Sequence, residues 1–453
     1  MKEFTPEYLA HLHKIIEDRA DEAARDELSD LHPADIAELY RDLDIDEAEY
    51  LFLLLDEEMQ ADVLMELDED ERSHLLAGMD AEDIAKQIEH LDTDDAVDVI
   101  QELDEEEREK ILSHIDDVEQ AGDIIDLLKY NEDTAGGLMG TEMIVVNENW
   151  SMPECIKQMR MQAEEMDEVY YVYVVDNEDR LRGTLPLKKL ITHPNVSKIK
   201  HVMEDDPVAV KADTPIDDVA LDFEKYDLVA MPVVDSIGRL LGRITVDDVM
   251  DKVRDSIERD YQLASGLSGD VESDDKLFAQ TKARLPWLLI GMIGGLCNSF
   301  ILGKFEGGFT VDPALALFIP LIGGTGGNVG TQSSAIVVQG LANGSLDIRK
   351  SGRQLLKELG VGLLNGSIIA MLVFIYNFLT IGHGHQVTTF AVSISLFCVV
   401  MFASVFGTFV PLMLEKLKID PALATGPFIS ITNDIIGMVI YMSISSWLII
   451  AFH

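Results

Sequence analysis

The sequence predicts a multidomain membrane protein that combines an all-α helical-repeat solenoid, a tandem pair of α/β domains, a connecting helix and an α-helical transmembrane domain of five helices. Three observations support this fold class. A twelve-residue repeat fills the first part of the chain, a longer motif then occurs twice, and five long apolar segments follow Arg284. Together they indicate a water-exposed half followed by a membrane half.

The charges divide at the same place. The chain has 83 acidic and 35 basic residues, of which only seven acidic and eight basic residues lie from Arg284 onward. Residues 1–283 therefore carry a net charge of −49, and the remainder carries +1. We expect no nucleic-acid partner for so acidic a body, because binding phosphates needs Lys and Arg.

The twelve-residue repeat is marked by Leu-Asp pairs and close variants of them. The pairs and variants begin at residues 31, 43, 55, 67, 79, 91, 103 and 115. The Asp of each pair can cap a short helix, and the acids that follow it suit the positive end of the helix dipole. Stacked units can bury apolar faces that one unit cannot. This predicts an acidic domain over 1–128, with the solenoid at about 25–128 and a linker at 129–138. An acidic sensing surface and a solvated scaffold both remain open.

The longer motif aligns residues 169–190 with residues 228–249. In each copy a β-rich run ends in Val-Asp, and a glycine follows seven residues after that Asp, before a short strand and a helix. The copies predict α/β domains at 139–200 and 201–250. With PVVD, GRLLG and ITVDD in its second copy, the pair resembles tandem CBS domains.

The CBS resemblance carries an implication about nucleotides. In that family a Thr-x-x-Asp after the strand holds the ribose and phosphates of an adenine nucleotide. Thr245 and Asp248 match this pattern, whereas the first copy has Pro186 and Lys189. The resemblance therefore implies a single ATP site in the second copy.

The second copy continues into a helix that we expect to connect the two halves over 251–283. Four acids fall on one face of it, at i, i+4, i+8 and i+11: Asp247, Asp251, Asp255 and Glu258. Such a face is either solvated or occupied by divalent cations, since the like charges otherwise repel. Both interpretations remain open.

Five segments in the membrane half are long and apolar enough to span a bilayer, at about 285–303, 313–340, 355–380, 387–412 and 421–452. The odd number places the two termini on opposite sides. Two alternate loops hold most of the basic residues: Arg349, Lys350, Arg353, Lys357, Lys416 and Lys418. Because basic loops stay inside, we expect a plasma or inner membrane protein with a cytoplasmic N-terminus and an outer C-terminus.

Asp434 is the only charged residue of the last apolar segment. It lies roughly 13 residues in from Pro421, or about 20 Å along a helix, which is close to mid-bilayer. A carboxylate there is costly unless it faces water, a cation or a partner. Asp434 is therefore predicted to face a cavity that a cation enters. The alternative is a protonated or hydrogen-bonded structural acid.

The second apolar segment contains a glycine-rich motif at a similar depth, PLIGGTGGNVGTQ from Pro320. Its glycines permit either close helix packing or an unwound stretch with free carbonyls. Oxygen ligands suit a hard cation such as Mg2+, which keeps several of its waters. The predicted pore residues besides Asp434 are Gly323, Gly324, Gly326, Gly327, Asn328, Gln332 and Asn433.

In the order of its parts and in two motifs, the chain resembles the MgtE family of magnesium channels and transporters. The motifs are the glycine-rich run at 320–332 and the Asp-Pro-Ala…Gly-Pro…Asp-x-x-Gly run at 420–437. The resemblance implies a homodimer with a pore on its two-fold axis over residues 284–453. It also implies that Asp434 binds hydrated Mg2+, that cytosolic Mg2+ closes the pore, and that the connecting helix acts as a plug.

The predicted function is Mg2+ uptake down the electrochemical gradient by a selective, non-enzymatic channel or transporter, closed by Mg2+ bound to the acidic and CBS domains. One alternative is a broader path for Co2+, Mn2+ or Ca2+. Another is a membrane-anchored CBS nucleotide sensor that conducts nothing. The sequence has no Walker-type loop and no Ser/His/Asp constellation to support pumping or catalysis.

Overall fold

The computed structural model describes residues 4–166, 169–193, 197–268, 271, 277–305, 313–342, 345–346, 351–380, 386–424 and 426–452. Arg349 and Lys350, which contribute to the predicted orientation, lie outside these residues. The chain divides into two compact units, Met1–Val253 and Arg254–His453, which are described separately.

The first unit begins with ten short helices within its described residues. They are α1 (Pro6–Glu17), α2 (Asp21–Leu28), α3 (Pro33–Tyr40), α4 (Ile45–Phe52), α5 (Glu57–Glu66), α6 (Glu69–Leu76), α7 (Ala81–Ile88), α8 (Thr93–Gln101), α9 (Glu105–Leu112) and α10 (Val118–Leu127). The repeat predicts this series because each twelve-residue unit supplies one helix and one turn.

The repeated aspartates occupy the N-cap positions, as predicted. Asp56, Asp68, Asp80 and Asp104 each accept a hydrogen bond from a backbone N–H in the first turn of the following helix. Such caps typically stabilise a helix by about 1 kcal/mol. The last repeat differs from the prediction, because Asp117 and not Asp116 caps α10.

The next part of the first unit contains two small sheets. The first has the order β1-β2-β3-β4, with β1 (Ile144–Asn147), β2 (Val172–Val175), β3 (Leu181–Leu185) and β4 (Glu204–Asp205). Helices α11 (Met152–Gln162) and α12 (Leu187–Thr192) belong to the same part of the chain. Strand β4 pairs with β3 from beyond the predicted domain boundary at residue 200.

The second sheet has the order β5-β6-β7, formed by β5 (Val210–Lys211), β6 (Ala230–Val234) and β7 (Leu240–Thr245), and helix α13 (Ile216–Tyr226) connects β5 to β6. In each sheet a parallel pair is followed by an antiparallel one. Apolar residues of the second sheet, such as Met231 and Ile244, share one buried cluster with solenoid residues such as Ile88 and Ile100. The solenoid and the second sheet are therefore packed on a common core.

Helix α14 (Val246–Ser265) follows β7 directly and continues into the second unit. The second unit then has α15 (Leu277–Lys304), α16 (Ile319–Ala342), α17 (Ser351–Thr380), α18 (Gln386–Lys416) and α19 (Gly426–Phe452). Single 3-10 turns, Pro313–Phe318 and Pro421–Ala424, precede α16 and α19.

Among the described residues, five helices are long and apolar enough to cross a membrane: Leu277–Lys304, Pro313–Ala342, Ser351–Thr380, Gln386–Lys416 and Gly426–Leu448. They correspond to the five predicted segments. Helix α18 carries many buried residues, among them Val399 and Val400, whereas α15 and α17 expose large apolar side chains such as Phe300 and Leu379. Exposed apolar side chains of this kind suit contact with lipid or with another helix.

Candidate functional site

The candidate site in the second unit is formed where α19 meets α16. A Cβ atom placed on Gly327 would lie 3.1 Å from Asp434 Oδ1 and 2.7 Å from Ser430 Oγ. Gly323 is the next closest, with its hypothetical Cβ 3.7 Å from Asp434 Oδ1. The glycines therefore let α16 approach the carboxylate closely, and a side chain at Gly327 would crowd it.

Asp434 Oδ1 is buried and accepts no hydrogen bond from the residues that the structure describes. An unpaired acceptor removed from water costs free energy, and the cost is larger for a carboxylate than for a neutral group. A carboxylate oxygen without a hydrogen-bond partner is chemically suited to a cation or to a water molecule of a hydrated cation.

The structure refines the position of Asp434 along its helix. Pro421–Ala424 forms a separate 3-10 turn, so α19 begins at Gly426, and Asp434 lies about 12 Å along α19, whereas the estimate of about 20 Å counts from Pro421. The residue is therefore about one third of the way along the helix.

The glycine-rich motif is continuous helix throughout α16, so the unwound alternative is wrong. The backbone oxygen of Gly327 accepts a hydrogen bond from Thr331 Oγ1 at 3.0 Å. A Cβ on Gly330 would lie 1.7 Å from Asn433 Nδ2, and one on Gly407 would lie 2.3 Å from Gly330 O. The glycines thus permit α16, α18 and α19 to approach closely.

The other predicted pore residues fall into two groups. Gly326 is buried, and so is Asn433, whose two amide atoms have no hydrogen-bond partner among the described residues. Gly324, Asn328 and Gln332 lie at i, i+4 and i+8 on an exposed strip of α16. The structure therefore does not place the Asn328 and Gln332 amides against Asp434.

A second membrane acid, Glu358, was not predicted as a site residue. It lies on α17, is only 6% exposed, and accepts a 2.6 Å hydrogen bond from Ser333 Oγ of α16. The signal was available in the sequence, since an acid within an apolar segment is rare and generally functional.

In the first unit, a different group of acids comes together. Carboxylate oxygens of Asp92, Asp94 and Glu142 lie within 4.8 Å of one another, and we call these three residues the acidic cluster. Asp92 and Asp94 lie at the start of α8, and Glu142 lies just before β1. Gly140 holds the Glu142 segment against β7, because its N–H and C=O pair with the C=O and N–H of Arg243, both at 2.9 Å.

Local contacts fix the geometry of the acidic cluster. Thr93 donates to Glu142 from its backbone N–H at 3.0 Å and from its hydroxyl at 3.1 Å. A Cβ on Gly140 would lie 3.0 Å from both carboxylate oxygens of Asp94, so there is no room for a side chain there. Asp94 Oδ1 is buried without a hydrogen-bond partner in the described residues.

The electrostatics of the acidic cluster favour a bound cation. Burial, followed by the charges of Asp248, Asp95, Glu142 and Asp92, raises the pKa of Asp94 well above its usual value. Burial and then Asp248 raise the pKa of Asp95 to about 7. These shifts mean that desolvation and mutual repulsion disfavour the ionised form of the carboxyl groups. A divalent cation with oxygen ligands would relieve both effects.

The predicted ligands on α14 lie elsewhere. Asp247, Asp251, Asp255 and Glu258 are all exposed, and none of them belongs to the acidic cluster. Asp248 is close enough to the cluster to raise the pKa of Asp94, and it also accepts hydrogen bonds from the backbone N–H and hydroxyl of Thr245. The Thr-x-x-Asp pair thus links the end of β7 to the first turn of α14.

Comparison with known proteins gives the family. A family model described as the MgtE divalent cation transporter matches residues 319–444, and the model of the MgtE intracellular N domain matches 31–133. CBS domain models match 135–195 and 199–255. The magnesium transporter MgtE of Thermus thermophilus is 36% identical over 333 residues, which cover 71% of this chain and 72% of that one. This chain belongs to the MgtE family.

Other members of the MgtE family support this assignment. The magnesium transporter MgtE of Enterococcus faecalis is 33% identical over 328 residues, covering 72% of each chain. A crystal structure of the soluble part of a magnesium transporter aligns with a TM-score of 0.50 at 31% identity, covering 55% of this chain and 97% of that one. A cytosolic domain of the Mg2+ channel MgtE, solved in complex with ATP, aligns with a TM-score of 0.51 at 31% identity, covering 54% and 99%.

The predicted resemblance and the predicted fold class are therefore confirmed. The chain is a member of a family of membrane magnesium transporters, with an N domain and paired CBS domains ahead of the spanning helices. The acidic cluster was missed because Asp94 and Glu142 are far apart in sequence and local spacing does not connect them.

Proposed function

We propose that this chain is a Mg2+-selective, non-enzymatic channel or transporter that admits Mg2+ down its electrochemical gradient and is closed by cytosolic Mg2+. The observation that carries the proposal is the buried Oδ1 atom of Asp434, which has no hydrogen-bond partner among the described residues and faces the glycines of α16 inside the membrane domain. The curated relatives are named magnesium transporters, which supports Mg2+ as the transported ion.

Asp434 attracts the cation, and its carboxylate accepts hydrogen bonds from the water shell that Mg2+ retains. No energy source other than the gradient is needed. With a cytoplasmic N-terminus and an inside-negative potential, a divalent ion gains about 4.6 kcal/mol per 100 mV on entry.

The pore is proposed to lie in a homodimer. The exposed strip of Gly324, Asn328 and Gln332 supports this, because amide groups are costly against hydrocarbon and require water or another subunit. In a second copy related by a two-fold axis, the same strip would line the opposite wall of a water-filled path. Gly323, Gly326, Gly327 and Asn433 then shape the wall behind it.

The regulatory Mg2+ is proposed to bind in the acidic first unit. The acidic cluster of Asp92, Asp94 and Glu142 is the best-formed site there, since its oxygens converge and Asp94 Oδ1 lacks a partner among the described residues. Asp247, Asp251, Asp255 and Glu258 stay predicted ligands further along α14. Binding energy at these sites favours the state that contains the ions, as linkage requires.

ATP is proposed as a second cytoplasmic ligand at Thr245 and Asp248. A related cytosolic domain was solved with ATP, which supports a nucleotide site in the CBS pair. Thr245 and Asp248 are hydrogen-bonded to each other, so a nucleotide would bind to side chains that are already in place. Equilibrium dialysis of ATP against full-length protein and Thr245→Ala tests this, and equal binding by both contradicts it.

Flux into liposomes tests the transport proposal. Purified full-length protein and Asp434→Asn are reconstituted, and uptake of Mg2+ is followed with a trapped indicator under an inside-negative potential. We expect uptake by the native chain and strong loss in the variant. Parallel uptake of Co2+, Mn2+ and Ca2+ tests the broader alternative, which the family description as a divalent cation transporter favours. Absence of flux for every ion would support the non-conducting nucleotide sensor.

A further inference from the structure

Arg243 of β7 places a guanidinium group in the acidic cluster. Its Nη2 atom donates to Asp92 Oδ2 at 3.0 Å, and its Nε atom donates to the backbone oxygen of Glu142. The guanidinium carbon lies 5.7 Å from the centre of the Tyr170 ring. Arg243 is only 7% exposed, whereas the Asp92 side chain that it contacts is 43% exposed.

The backbone of Arg243 is fixed on one side by its paired hydrogen bonds with Gly140 and on the other by the pairing of β7 with β6. The side chain can therefore move away from Asp92 only by rotating about its own bonds. It joins four parts of the first unit: the start of α8, the segment before β1, the segment before β2, and β7. A positive charge is thus tethered permanently next to the carboxylates.

Asp92 differs from four of the other repeat aspartates in a way that involves Arg243. Asp56, Asp68, Asp80 and Asp104 cap their helices with the side chain, whereas the Asp92 side chain makes no cap hydrogen bond to α8. Glu142 accepts from Thr93 N–H at the start of α8 instead. The carboxylate of Asp92 is thereby released from helix capping and is bonded to Arg243.

A cation and the guanidinium compete for this carboxylate. An ion bound to Asp92, Asp94 and Glu142 would lie within several ångströms of the Arg243 charge, where repulsion between a divalent and a monovalent cation is strong and poorly screened. Without the ion, the same guanidinium offsets part of the repulsion among the carboxylates. Arg243 therefore stabilises the metal-free cluster and opposes the metal-bound one.

We propose that Arg243 is a tethered counter-cation that competes with Mg2+ for Asp92 and so sets a higher Mg2+ threshold for the cytoplasmic sensor. This inference rests on the proposed function, in which the acidic cluster binds regulatory Mg2+. It assigns Arg243 a tuning role and does not make it a ligand of the ion.

The test measures Mg2+ binding and not transport. Full-length protein in detergent is digested with a protease across a Mg2+ titration, with KCl at equal ionic strength as the reference, and isothermal titration calorimetry measures the affinity. Removing the charge in Arg243→Gln is expected to lower the Mg2+ midpoint at least about fivefold, the lower end of typical coupling between two sites. Arg243→Lys keeps the charge and is expected to stay within about twofold of the native midpoint.

Arg239→Gln is the matched control. Arg239 precedes β7 and pairs with Asp235 at 2.7 Å on an exposed surface, so its loss changes the net charge equally without touching the cluster. We expect its midpoint to equal the native one. If Arg239→Gln lowers the midpoint as much as Arg243→Gln, the effect is net charge and the inference is overturned.

The remaining outcomes separate this inference from the proposed function. No Mg2+-specific protection in the native protein would overturn the sensor function and the inference with it. If the folded Arg243→Gln protein has a Mg2+ midpoint equal to or higher than that of the native protein, the inference is overturned and the sensor function is not. Arg243→Met also removes the charge while keeping an unbranched side chain, and it replaces the glutamine variant if that one fails to fold. If neither variant folds, Arg243 is a structural residue and the tuning role is wrong.

Discussion

Asp434 and Glu358 both lie in membrane helices, but they differ in what they contact. Glu358 is buried between helices and accepts a short hydrogen bond from Ser333, so one of its oxygens is already engaged in joining α17 to α16. Asp434 keeps a buried oxygen without a partner in the described residues, beside the glycines of α16. Because its hydrogen-bonding capacity is not used up, we expect Asp434 and not Glu358 to attract a cation.

Replacing Asp434 gives the largest expected effect. Asp434→Asn keeps the shape and removes the charge, and in a poorly screened site we expect Mg2+ uptake into liposomes to fall on the order of a hundredfold. Asp434→Glu, which keeps the charge, is the control and should retain part of the flux. Native uptake by a correctly inserted Asp434→Asn protein would remove Asp434 from the pore.

The same comparison extends to the first unit, where one oxygen of Asp94 has no partner in the described part of the chain and Asp56 caps a helix. Asp94→Asn should raise the cytosolic Mg2+ concentration needed to stop flux by about tenfold, because one charged ligand is lost. Asp56→Asn, which can still cap α5, should leave that concentration unchanged.

The exposed face of α14 can be compared with the acidic cluster as a regulatory Mg2+ site. The test replaces Asp247, Asp251 and Asp255 together by Asn and measures the Mg2+ concentration that inhibits flux. We expect this replacement to raise the inhibitory Mg2+ concentration less than Asp94→Asn does, since exposed carboxylates on a helix face hold an ion less firmly than converging, partly buried ones. The reverse order would assign the regulatory site to α14.

Packing around the pore acid gives a smaller, structural effect. Gly330→Ala would force a Cβ into Asn433 Nδ2, and we expect a loss of about 1–3 kcal/mol in the free energy of unfolding, as for other overpacked cores. Gly324→Ala, whose Cβ would meet nothing within 4 Å, is the control. Thermal unfolding in detergent compares them, and equal melting temperatures would mean that the helices separate without cost.

The smallest effect on flux is expected for Glu358→Gln. The glutamine oxygen can still accept from Ser333 Oγ, so uptake should remain within about twofold of the native rate while only the charge is lost. A collapse of flux comparable to that of Asp434→Asn would show that both membrane charges act on the ion, and the contrast between the two acids would fail.

Local features of the fold were accessible from the sequence. The spacing of Leu-Asp pairs predicted the capped helices because a cap and its helix are neighbours in the chain. Apolar length predicted the five spanning helices. Asp434 was recognised because a single charge in an apolar segment stands out.

Features that depend on distant contacts were not accessible. Whether Gly330 supports an unwound stretch or a packed helix depends on Asn433 and Gly407, which approach it from other helices. The acidic cluster depends on Gly140 pairing with Arg243, which brings Glu142 to the start of α8. Strand β4 joined the first sheet for the same reason, because its partner β3 lies across an intervening helix in the chain.

The core shared by the solenoid and the second sheet has a calorimetric consequence. Residues such as Ile88, Ile100, Met231 and Ile244 lie in one buried cluster, so moving the solenoid away from that sheet would expose apolar surface to water. Exposing apolar surface raises the heat capacity. If Mg2+ binding draws these parts together, its binding enthalpy must become more negative as temperature rises, and the affinity of the first unit for Mg2+ will then weaken on cooling as well as on strong heating.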